Sequence, residues 1–564
     1  MLQISGSGFW SSPNVYLNGG ETVIEPDQDR STKDLLVVFV PPAEQAGTVE
    51  VTIGNAVGGS NILNFTYAED ALAPIKFEET RVRAADNTSF KLELISNIQY
   101  GPDHRLYLAS LNSFVYSLEI DEELRASDIC QSESFGYLRT VIGLAFNPAD
   151  PEIILYASSS IFYWGASDLE GDMLWANGQV SKLRPNFNGN CLGIDGAPII
   201  TGLPVSNHDH GVNNLVFDDD GLLHFQVGAA TNAGKPDETI GGIDESPLSA
   251  ASLVADIYSP GFNGTIVYDS NDPGTANQIA GDVTVYAPGW RNSFDLILHS
   301  NGMIYATDNG ANAEFGNRST SCTESDLISP YHSDDRLGIV TEGKYAGHAN
   351  RNRGRNDPKQ CIWKNPFEPA TEDFMPPIAT LESSTDGLIE YTADLFDGQL
   401  KSNILASKFS TNDPNNNGRV YRVQLDEKGQ LEDDIESLWE GSGLSIEMTP
   451  WGDILMPRLY EAEIMALKPD YVAKKDGRLI SVSPFRGPVG GRNEVLVAVD
   501  GLGKQGIALF DGKPCTDVRE QTERSFKCDA PAGEPGKSVQ VAIQIRNGPL
   551  MKSTGGHDYR YMRI

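Results

Sequence analysis

Histidine is scarce in this chain, so the places where histidines cluster are informative. Eight occur among 564 residues, and two stand together in the segment Asn207-His208-Asp209-His210-Gly211. Because alternate residues of a strand share a face, His208 and His210 could ligate one metal ion. An imidazole titrates near neutral pH, so His210 could instead serve as a general base. A hydrogen-bonded structural role is the third interpretation, since the sequence shows no evident third metal ligand.

A second polar cluster begins at Arg291-Asn292 and resumes at Asn309-Gly310-Ala311, after an apolar segment of strand length. Arginine holds planar carboxylates through two parallel hydrogen bonds, which suits Arg291 to a carboxylate ligand. The three residues after the strand could offer oxygen ligands to calcium, partly through backbone carbonyls. The alternative interpretation is an ordinary turn beside a buried structural arginine.

The scaffold for these residues is visible in the middle of the chain, at about residues 78–470. A unit of two apolar strands joined by a Gly, Asp or Asn turn recurs there six times, at intervals of about 50 to 100 residues. The second strand is marked in turn by Tyr107, Tyr156, His224, Tyr305, Leu405 and Leu455. This repetition predicts a six-bladed β-propeller with one four-stranded sheet per blade and long loops on one face. A large β-sandwich, or a pair of them, is the alternative.

Both ends of the chain differ from the middle, and each is predicted to form a small β-sandwich. Residues 1–72 and 478–564 contain short alternating strands, and each stretch has the size of an immunoglobulin-like domain. Long helical periodicity is nearly absent, and 56 glycines and 32 prolines suit a turn-rich chain. The predicted fold is therefore all-β, with His210 and Arg291 meeting at one axial end of the propeller.

Charge and hydropathy argue against two classes of partner. Lys and Arg number 43 against 78 Asp and Glu, a formal net charge of −35, whereas phosphate-binding surfaces need clustered basic residues. We therefore expect neither a nucleic-acid partner nor docking on anionic lipid. No apolar run approaches the roughly 18 residues of a membrane-spanning helix, so membrane insertion is not expected.

Six cysteines, none in a zinc-like spacing, indicate an extracellular or cell-surface, secreted protein with two or three disulfides. Two pairings are predicted, although spacing alone leaves the connectivity open: Cys322 with Cys361, which flank an insertion, and Cys130 with Cys191. Glycosylation acceptors of the Asn-x-Ser/Thr type occur at Asn64, Asn87, Asn263 and Asn317. The segment after Met1 does not have a leader pattern, so we expect the numbered chain to be a mature or truncated product.

The C-terminal stretch contains a series of short motifs: Ser483-Pro484, Gly487–Gly491, Phe510-Asp511-Gly512, Cys515 and Cys528-Asp529-Ala530-Pro531. In this order they resemble an IPT/TIG domain, an immunoglobulin-like family, and the resemblance implies a disulfide between Cys515 and Cys528. The N-terminal stretch resembles the same family through Gly6–Phe9, Val40–Pro42, Gly47–Val49 and Phe65–Tyr67. It begins at the second strand of the pattern. We expect its first strand to come from upstream residues or another chain, since an open sheet edge leaves backbone groups unpaired.

The middle of the chain carries a longer series of motifs. They are His210, Asn213-Asn214-Leu215, Asp220-Gly221, Gly228-Ala229, Arg291-Asn292, Asn301-Gly302, Asn309-Gly310-Ala311, Asp334–Leu337 and Tyr345–His348. In this order they resemble the glucose/sorbosone dehydrogenase family, the soluble quinoprotein sugar dehydrogenases, over most of residues 80–470. The chain resembles most closely the subgroup that joins such a propeller to IPT/TIG modules.

The resemblance implies a reaction in which a sugar or polyol loses a hydride to pyrroloquinoline quinone. His210 would take the hydroxyl proton, and Arg291 with Asn292 would hold the cofactor. An Asp orients the base in that family. Ala229 stands at its position in this chain, so His210 is expected to lack that orienting side chain. Asp209, on the opposite face of the strand, is expected to be a poor substitute.

The resemblance also assigns a metal and the cofactor's surroundings. Calcium would polarise the quinone, and Asn309 with the carbonyls of Gly310 and Ala311 would bind it. Lys408 would meet a cofactor carboxylate. His348 would cover the quinone, at a position where the family has Trp.

Two functions from different classes therefore stay open. The first is an extracellular sugar or polyol dehydrogenase that depends on a quinone and calcium. The second is a non-catalytic extracellular protein, which presents the propeller loops to glycans or proteins and uses its IPT/TIG domains for assembly. Ala229 and His348 favour the second function, and His210 with Arg291 favours the first.

Overall fold

The computed structural model describes the chain except for residues 1, 8, 10–12, 21, 29–30, 42–46, 56–57, 68–73, 163–173, 314, 324–332, 410–417, 472–476, 502–505, 546–549 and 554–557. It divides into two compact units, residues 1–76 and 77–564. The described part is strand and turn, apart from the one-turn helix α1 (Arg351–Gly354) and short 3-10 turns at Asn18–Gly20, Leu174–Ala176, Glu238–Ile240, Pro358–Cys361 and Phe396–Gly398. No helix within these described residues is long and apolar enough to cross a membrane.

The first unit is a small two-sheet structure. Its strands are β1 (Leu2–Ser5), β2 (Asn14–Leu17), β3 (Thr22–Ile24), β4 (Leu35–Val38), β5 (Gly47–Asn55), β6 (Gly58–Gly59) and β7 (Leu63–Tyr67). β1 pairs with β4, and β2 joins β3 to β5, which also pairs with β6 and β7. Apolar residues that alternate along these strands, such as Val15, Leu17, Val51 and Ile53, are buried between the sheets.

The second unit begins with the strands of the propeller. In chain order they are β8 (Phe77–Arg81), β9 (Arg83–Ala84), β10 (Ile95–Tyr100), β11 (Leu106–Ser110), β12 (Phe114–Ile120), β13 (Arg125–Gln131), β14 (Arg139–Phe146), β15 (Leu155–Ile161), β16 (Gly178–Phe187), β17 (Asn190–Ile194), β18 (Ile200–Leu203), β19 (Val212–Phe217), β20 (Leu223–Val227), β21 (Ala251–Ala255), β22 (Val267–Tyr268), β23 (Gln278–Ala280), β24 (Thr284–Pro288), β25 (Leu296–Leu298), β26 (Ile304–Asp308), β27 (Asp335–Ile339), β28 (Ala379–Leu381), β29 (Thr385–Tyr391), β30 (Asn403–Lys408), β31 (Arg419–Val423), β32 (Glu436–Glu440), β33 (Glu447–Met448), β34 (Ile454–Arg458) and β35 (Glu463–Pro469).

Six antiparallel sheets built from these described strands form the propeller. Their first strands are β10, β14, β19, β25, β29 and β33, and we number the blades 1 to 6 in that order. The six marker residues of the sequence repeat all lie on the second strands of these blades, so the prediction of a six-bladed propeller is confirmed. Three markers are buried tyrosines, and two of them pack edge-to-face on a phenylalanine of the next blade: Tyr107 on Phe146 and Tyr156 on Phe217.

The ring closes through a strand from the start of the unit. β8 pairs antiparallel with β35 and becomes the outer strand of blade 6, with Ala466 opposite Thr80. Phe77 anchors β8: its side chain is buried, and its ring packs edge-to-face on Phe396 with the centroids 5.3 Å apart. The two ends of the repeat are thus held in one sheet.

The C-terminal domain follows as a sandwich of three small sheets. Its strands are β36 (Arg478–Ser483), β37 (Arg486–Gly487), β38 (Glu494–Asp500), β39 (Gly506–Phe510), β40 (Lys513–Pro514), β41 (Thr516–Arg519), β42 (Ser525–Asp529), β43 (Ser538–Val539), β44 (Val541–Ile545), β45 (Leu550–Lys552) and β46 (Tyr559–Tyr561). β38 pairs with β36 on one side and with β42 on the other. β1 is the counterpart of β38 in the first unit, and among the described residues of that unit it pairs with β4 alone.

The C-terminal domain packs on the face of the propeller where the first strand of each blade turns into the second. Several polar contacts cross this joint, each given with the propeller residue first: Asp219 Oδ2 to Arg560 Nε (2.6 Å), the Asp219 carbonyl to Arg563 N (2.7 Å), the His299 carbonyl to Arg486 Nη2 (2.8 Å), Asp394 N to the Ile480 carbonyl (2.7 Å) and Lys401 to Asp558. His210 and Arg291 precede their first strands, so they belong to the opposite face.

The disulfides of the structure are the three cysteine pairs expected from the sequence. Disulfides join Cys130 to Cys191, Cys322 to Cys361 and Cys515 to Cys528. Of the glycosylation acceptors, Asn64, Asn87 and Asn263 are exposed, whereas Asn317 is half-buried.

Replacing Phe77 by Ala tests the role of β8. We expect Phe77→Ala to lower the free energy of unfolding by about 3–5 kcal/mol, because it removes the ring that anchors the closing strand. The measurement is urea denaturation followed by tryptophan fluorescence. Glu79→Ala, on an exposed position of the same strand, is the control and should change stability by less than about 0.5 kcal/mol. Equal midpoints for the two variants would contradict this role of β8.

Candidate functional site

A cleft of about 230 Å³ lies at the axial end of the propeller opposite the C-terminal domain. It is lined by His208, Asp209, His210, Thr239, Ile240, Arg291, Asn292, Asn309, Gly310, Asn312, Phe315, Asp335, Ser383 and Ser384. The start of β25 and the end of β26 lie at one edge because these strands are antiparallel, and β19 begins at the same edge of the neighbouring blade. The topology therefore brings His210, Arg291 and Asn309 together across the long insertions between them.

His210 is oriented by the backbone rather than by a carboxylate. The residue is 5% exposed, and its Nδ1 donates to the carbonyl of Ala229 at 2.9 Å. The expectation that Ala229 deprives the imidazole of a partner is corrected here, because the main chain at that position supplies the acceptor. With the proton on Nδ1, the lone pair of Nε2 is available for a general base.

Asp209 lies closer to His210 than strand alternation suggests. Its Oδ1 is 3.6 Å from His210 Nε2 and 2.6 Å from His208 Nδ1, because residues 206–211 form a bend rather than a strand. Burial lowers the pKa of His210 below 6.5, and the Asp209 carboxylate acts in the opposite direction. His210 is therefore neutral at pH 7.

Arg291 is buried, and one of the two guanidinium edges that could hold a carboxylate is already occupied. Its Nε and Nη2 donate to the carbonyl and to Oδ1 of Asn232, at 3.1 and 2.9 Å. Asp308 fixes the backbone at Arg291 and Asn292, because its two carboxylate oxygens accept hydrogen bonds from the N–H groups of these residues. Burial lowers the pKa of the guanidinium. Arg291 is thus a fixed cation beneath the cleft wall.

The Asn309 amide bridges polar groups inside the cleft. Its Oδ1 accepts from Asn292 Nδ2 at 2.8 Å, and its Nδ2 donates to Asp335 Oδ2 and Asp386 Oδ1 at 2.9 and 3.0 Å. Burial raises the pKa of Asp335 to about 6 and that of Asp386 to about 7. The wall is therefore a network of amides and carboxyls that titrate near neutral pH.

Two of the three proposed calcium ligands already accept hydrogen bonds within the protein. The side-chain oxygen of Asn309 accepts from Asn292, and the carbonyl of Ala311 accepts from the N–H of Ser333 at 2.9 Å. Gly310 donates its N–H to Asp335, and a Cβ at this position would collide with the Ser333 carbonyl. Close packing against the Ser333 carbonyl therefore explains why position 310 is a glycine. Among the described residues, no group of three or more His, Cys, Asp or Glu side chains is placed to hold a metal ion.

The remaining cofactor residues of the sequence analysis lie outside the cleft lining. His348 is 1% exposed, and its Nε2 lies 3.1 Å from Glu245 Oε1. Lys408 pairs with Glu382 at 2.5 Å. His348, Lys408 and the Nε–Nη2 edge of Arg291 are therefore bound to protein partners, and pyrroloquinoline quinone would have to displace these bonds to use them.

The sequence did not point to the residues that hydrogen-bond to His348 and Arg291. Glu245 accepts from Thr231, Ser249 and His348. Burial raises its pKa, but these bonds outweigh burial and hold the pKa at about 2. Asn232 is fully buried and also donates to the carbonyls of Asn312 and Phe315. Neither residue stands in a motif. The Asp334–Leu337 motif did contain Asp335, which could have been proposed as a partner of Asn309.

The geometry around His210 predicts how its pKa responds to mutation. We expect the pKa of His210 to lie below 6.5 and to fall further in Asp209→Asn, because the variant keeps the burial and loses the carboxylate that favours the charged ring. NMR titration of the histidine ring resonances measures both values. His208→Gln identifies the neighbouring signal and keeps the carboxylate. A pKa that rises or stays constant in Asp209→Asn would contradict the arrangement.

The chain is similar to known proteins at two levels. The IPT/TIG domain model matches residues 1–67 and 478–561. No curated protein sequence matches the chain. A glucose dehydrogenase-type oxidoreductase from Thermus thermophilus is 15% identical, covers 70% of this chain and 100% of its own, and has a TM-score of 0.44.

Two further solved structures are similar in the same region. The PQQ domain of pyranose dehydrogenase from Coprinopsis cinerea is 11% identical, over 70% of this chain and 96% of that one, with a TM-score of 0.44. A Trichoderma reesei protein of carbohydrate-active enzyme family AA12 is 14% identical, over 71% and 98%, also with a TM-score of 0.44. The chain is a six-bladed β-propeller with an IPT/TIG domain at each end of its sequence.

Proposed function

We propose that the His210 cleft recognises a sugar, polyol or glycan and that the chain is an extracellular carbohydrate-binding protein. One observation carries the proposal. Phe315 lies in the cleft with 44% of its surface exposed, among residues that are otherwise almost all polar. A flat apolar ring beside hydrogen-bonding groups suits a sugar, which has an apolar C–H face and hydroxyls at its edge.

The polar lining supports the same ligand class. The amide of Asn312 and the hydroxyls of Ser383 and Ser384 can both donate and accept hydrogen bonds, as sugar hydroxyls require. Asn232 fixes the loop that presents Phe315, because its amide donates to the Phe315 carbonyl at 2.6 Å. The backbone that carries the ring is therefore fixed before a ligand binds.

Removing the Phe315 ring tests this proposal. We expect Phe315→Ala to weaken binding of a neutral oligosaccharide about tenfold or more, because the apolar platform is lost. A set of glucan, mannan and xylan oligosaccharides is titrated by calorimetry. Phe367→Ala removes a ring that is 67% exposed and is not among the cleft residues, and serves as the matched control. If none of these oligosaccharides binds, or if Phe315→Ala and Phe367→Ala bind them with equal affinity, the cleft is not a carbohydrate site.

A dehydrogenase is the second candidate, and the geometry of His210 favours it. The ring is oriented by the Ala229 carbonyl and is neutral at pH 7, which are the properties of a general base. The contacts that Asn309, Ala311 and Lys408 already make within the protein argue against a dehydrogenase. Asn309 and Ala311 accept hydrogen bonds, and Lys408 forms an ion pair.

Addition of quinone and calcium separates the two candidates. We expect the purified chain with pyrroloquinoline quinone and calcium chloride to show no dye reduction with sugars or polyols and no thermal shift. The physical reason is that binding would have to break the protein hydrogen bonds of the proposed ligands. Turnover that disappears in His210→Ala without a change in Tm would establish the dehydrogenase instead.

The extracellular location and the assembly role are part of the same proposal. Three disulfides fit an oxidising compartment, and three glycosylation acceptors are exposed. We assign protein assembly to the first unit, since β1 offers one edge to a further strand: it pairs with β4 alone among the described residues, whereas its counterpart β38 pairs on both sides.

A further inference from the structure

A second cavity lies at the other end of the propeller axis, beneath the C-terminal domain. It consists of two adjoining lobes of about 210 and 200 Å³, each with room for roughly seven water molecules at about 30 Å³ apiece. The propeller contributes the far ends of its first strands, and the C-terminal domain contributes Phe485 and Arg486. The cavity is therefore an interdomain site, distinct from the His210 cleft.

Four polar atoms in the wall of this cavity have no hydrogen-bond partner in the described structure. Asn97 Nδ2 is one; the Oδ1 of the same amide already accepts from Ile98 N and Ser445 Oγ. The others are Gln99 Oε1, Glu390 Oε1 and Arg486 Nε. Asn97 and Arg486 are 2% and 7% exposed. Buried polar groups are rarely left unpaired, so two donors and two acceptors are left to bind a ligand here.

Apolar and aromatic side chains form a second part of the wall. Phe146 and Phe485 line both lobes, and Leu296 and Leu298 line the larger one. Arg486 stacks over the Phe485 ring, with its guanidinium carbon 5.0 Å from the centroid. A ligand must therefore combine a hydrogen-bonding edge with apolar surface.

The charges around the cavity favour a neutral ligand. Arg486 is attracted by Glu390, whose second oxygen already accepts from Ser300 N at 2.7 Å. The carboxyl of Glu447 accepts from two backbone N–H groups, and burial raises its pKa to about 7. An ion of either sign would have to be desolvated to enter, whereas a neutral ligand would not.

We propose that this axial cavity binds a neutral polyhydroxy compound of monosaccharide size, with Asn97 and Arg486 donating to its hydroxyls and Gln99 accepting from one. The proposal does not depend on the function of the His210 cleft. Such a ligand would contact both the propeller and the C-terminal domain, so its binding would strengthen the joint between them.

The test uses the full chain with the other cleft disabled. In a Phe315→Ala background, glucose and sorbitol are titrated by calorimetry, with gluconate as the charged analogue. We expect both neutral compounds to bind and to raise Tm, and gluconate to bind more weakly. Adding Gln99→Leu should weaken binding about tenfold or more, because a ligand hydroxyl then loses its acceptor. Gln430→Leu, at an exposed site on blade 5, is the control.

Arg486→Met provides a second, independent variant from the C-terminal domain, and it should also weaken binding of glucose and sorbitol. The inference is overturned if neither neutral compound binds in the Phe315→Ala background. It is equally overturned if Gln99→Leu and Gln430→Leu bind alike, because the cavity would then hold water alone. Loss of oligosaccharide binding in Phe315→Ala reports on the first cleft only, so the two proposals can fail separately.

Discussion

The pairing of β8 with β35 is the interaction on which the propeller depends. Blades pack side by side through apolar contacts, which are non-directional and would tolerate an open ring. The antiparallel ladder between residues 77–81 and 465–469 joins segments from opposite ends of the repeat and fixes the ring size. It also covers a sheet edge that would otherwise expose backbone groups. The ordering of so long a chain segment is offset by the burial that ring closure makes possible.

Inside the closed ring, a few side chains fix the blades relative to one another. Asn214 accepts from Leu144 N of blade 2 and donates to Asp295 of blade 4, and Asp295 accepts from Leu388 N of blade 5. Four successive blades are thereby linked through two side chains near the axis. Burial raises the pKa of Asp295 to about 6. Both cavities lie along this axis, one at each end, and this polar core separates them.

Most of the fold could be predicted from the sequence because the repeating unit consists of residues close together in the chain. Each blade begins with an apolar strand, a Gly or Asn turn and a second apolar strand, and residues such as Tyr305 and Leu455 mark the second strand without any long-range information. The convergence of His210 and Arg291 followed from that repeat. The partners of His348 and Lys408 did not, because Glu245 lies in the long connection between β20 and β21 and Glu382 in the short link between β28 and β29, and the blade pattern fixes the side chains of neither. A side chain's chemistry depends on such partners.

The joint between propeller and C-terminal domain has a practical consequence for where this chain can be divided. Lys401 and Asp558 are nearly buried, as are Asp219 and Arg560, and each pair spans the two domains. A fragment that ends near residue 470 would leave Lys401 and Asp219 without their countercharges and would uncover the apolar floor of the ring. Family boundaries drawn on sequence therefore do not mark an autonomous folding unit here, and residues 77–564 have to be produced as one piece.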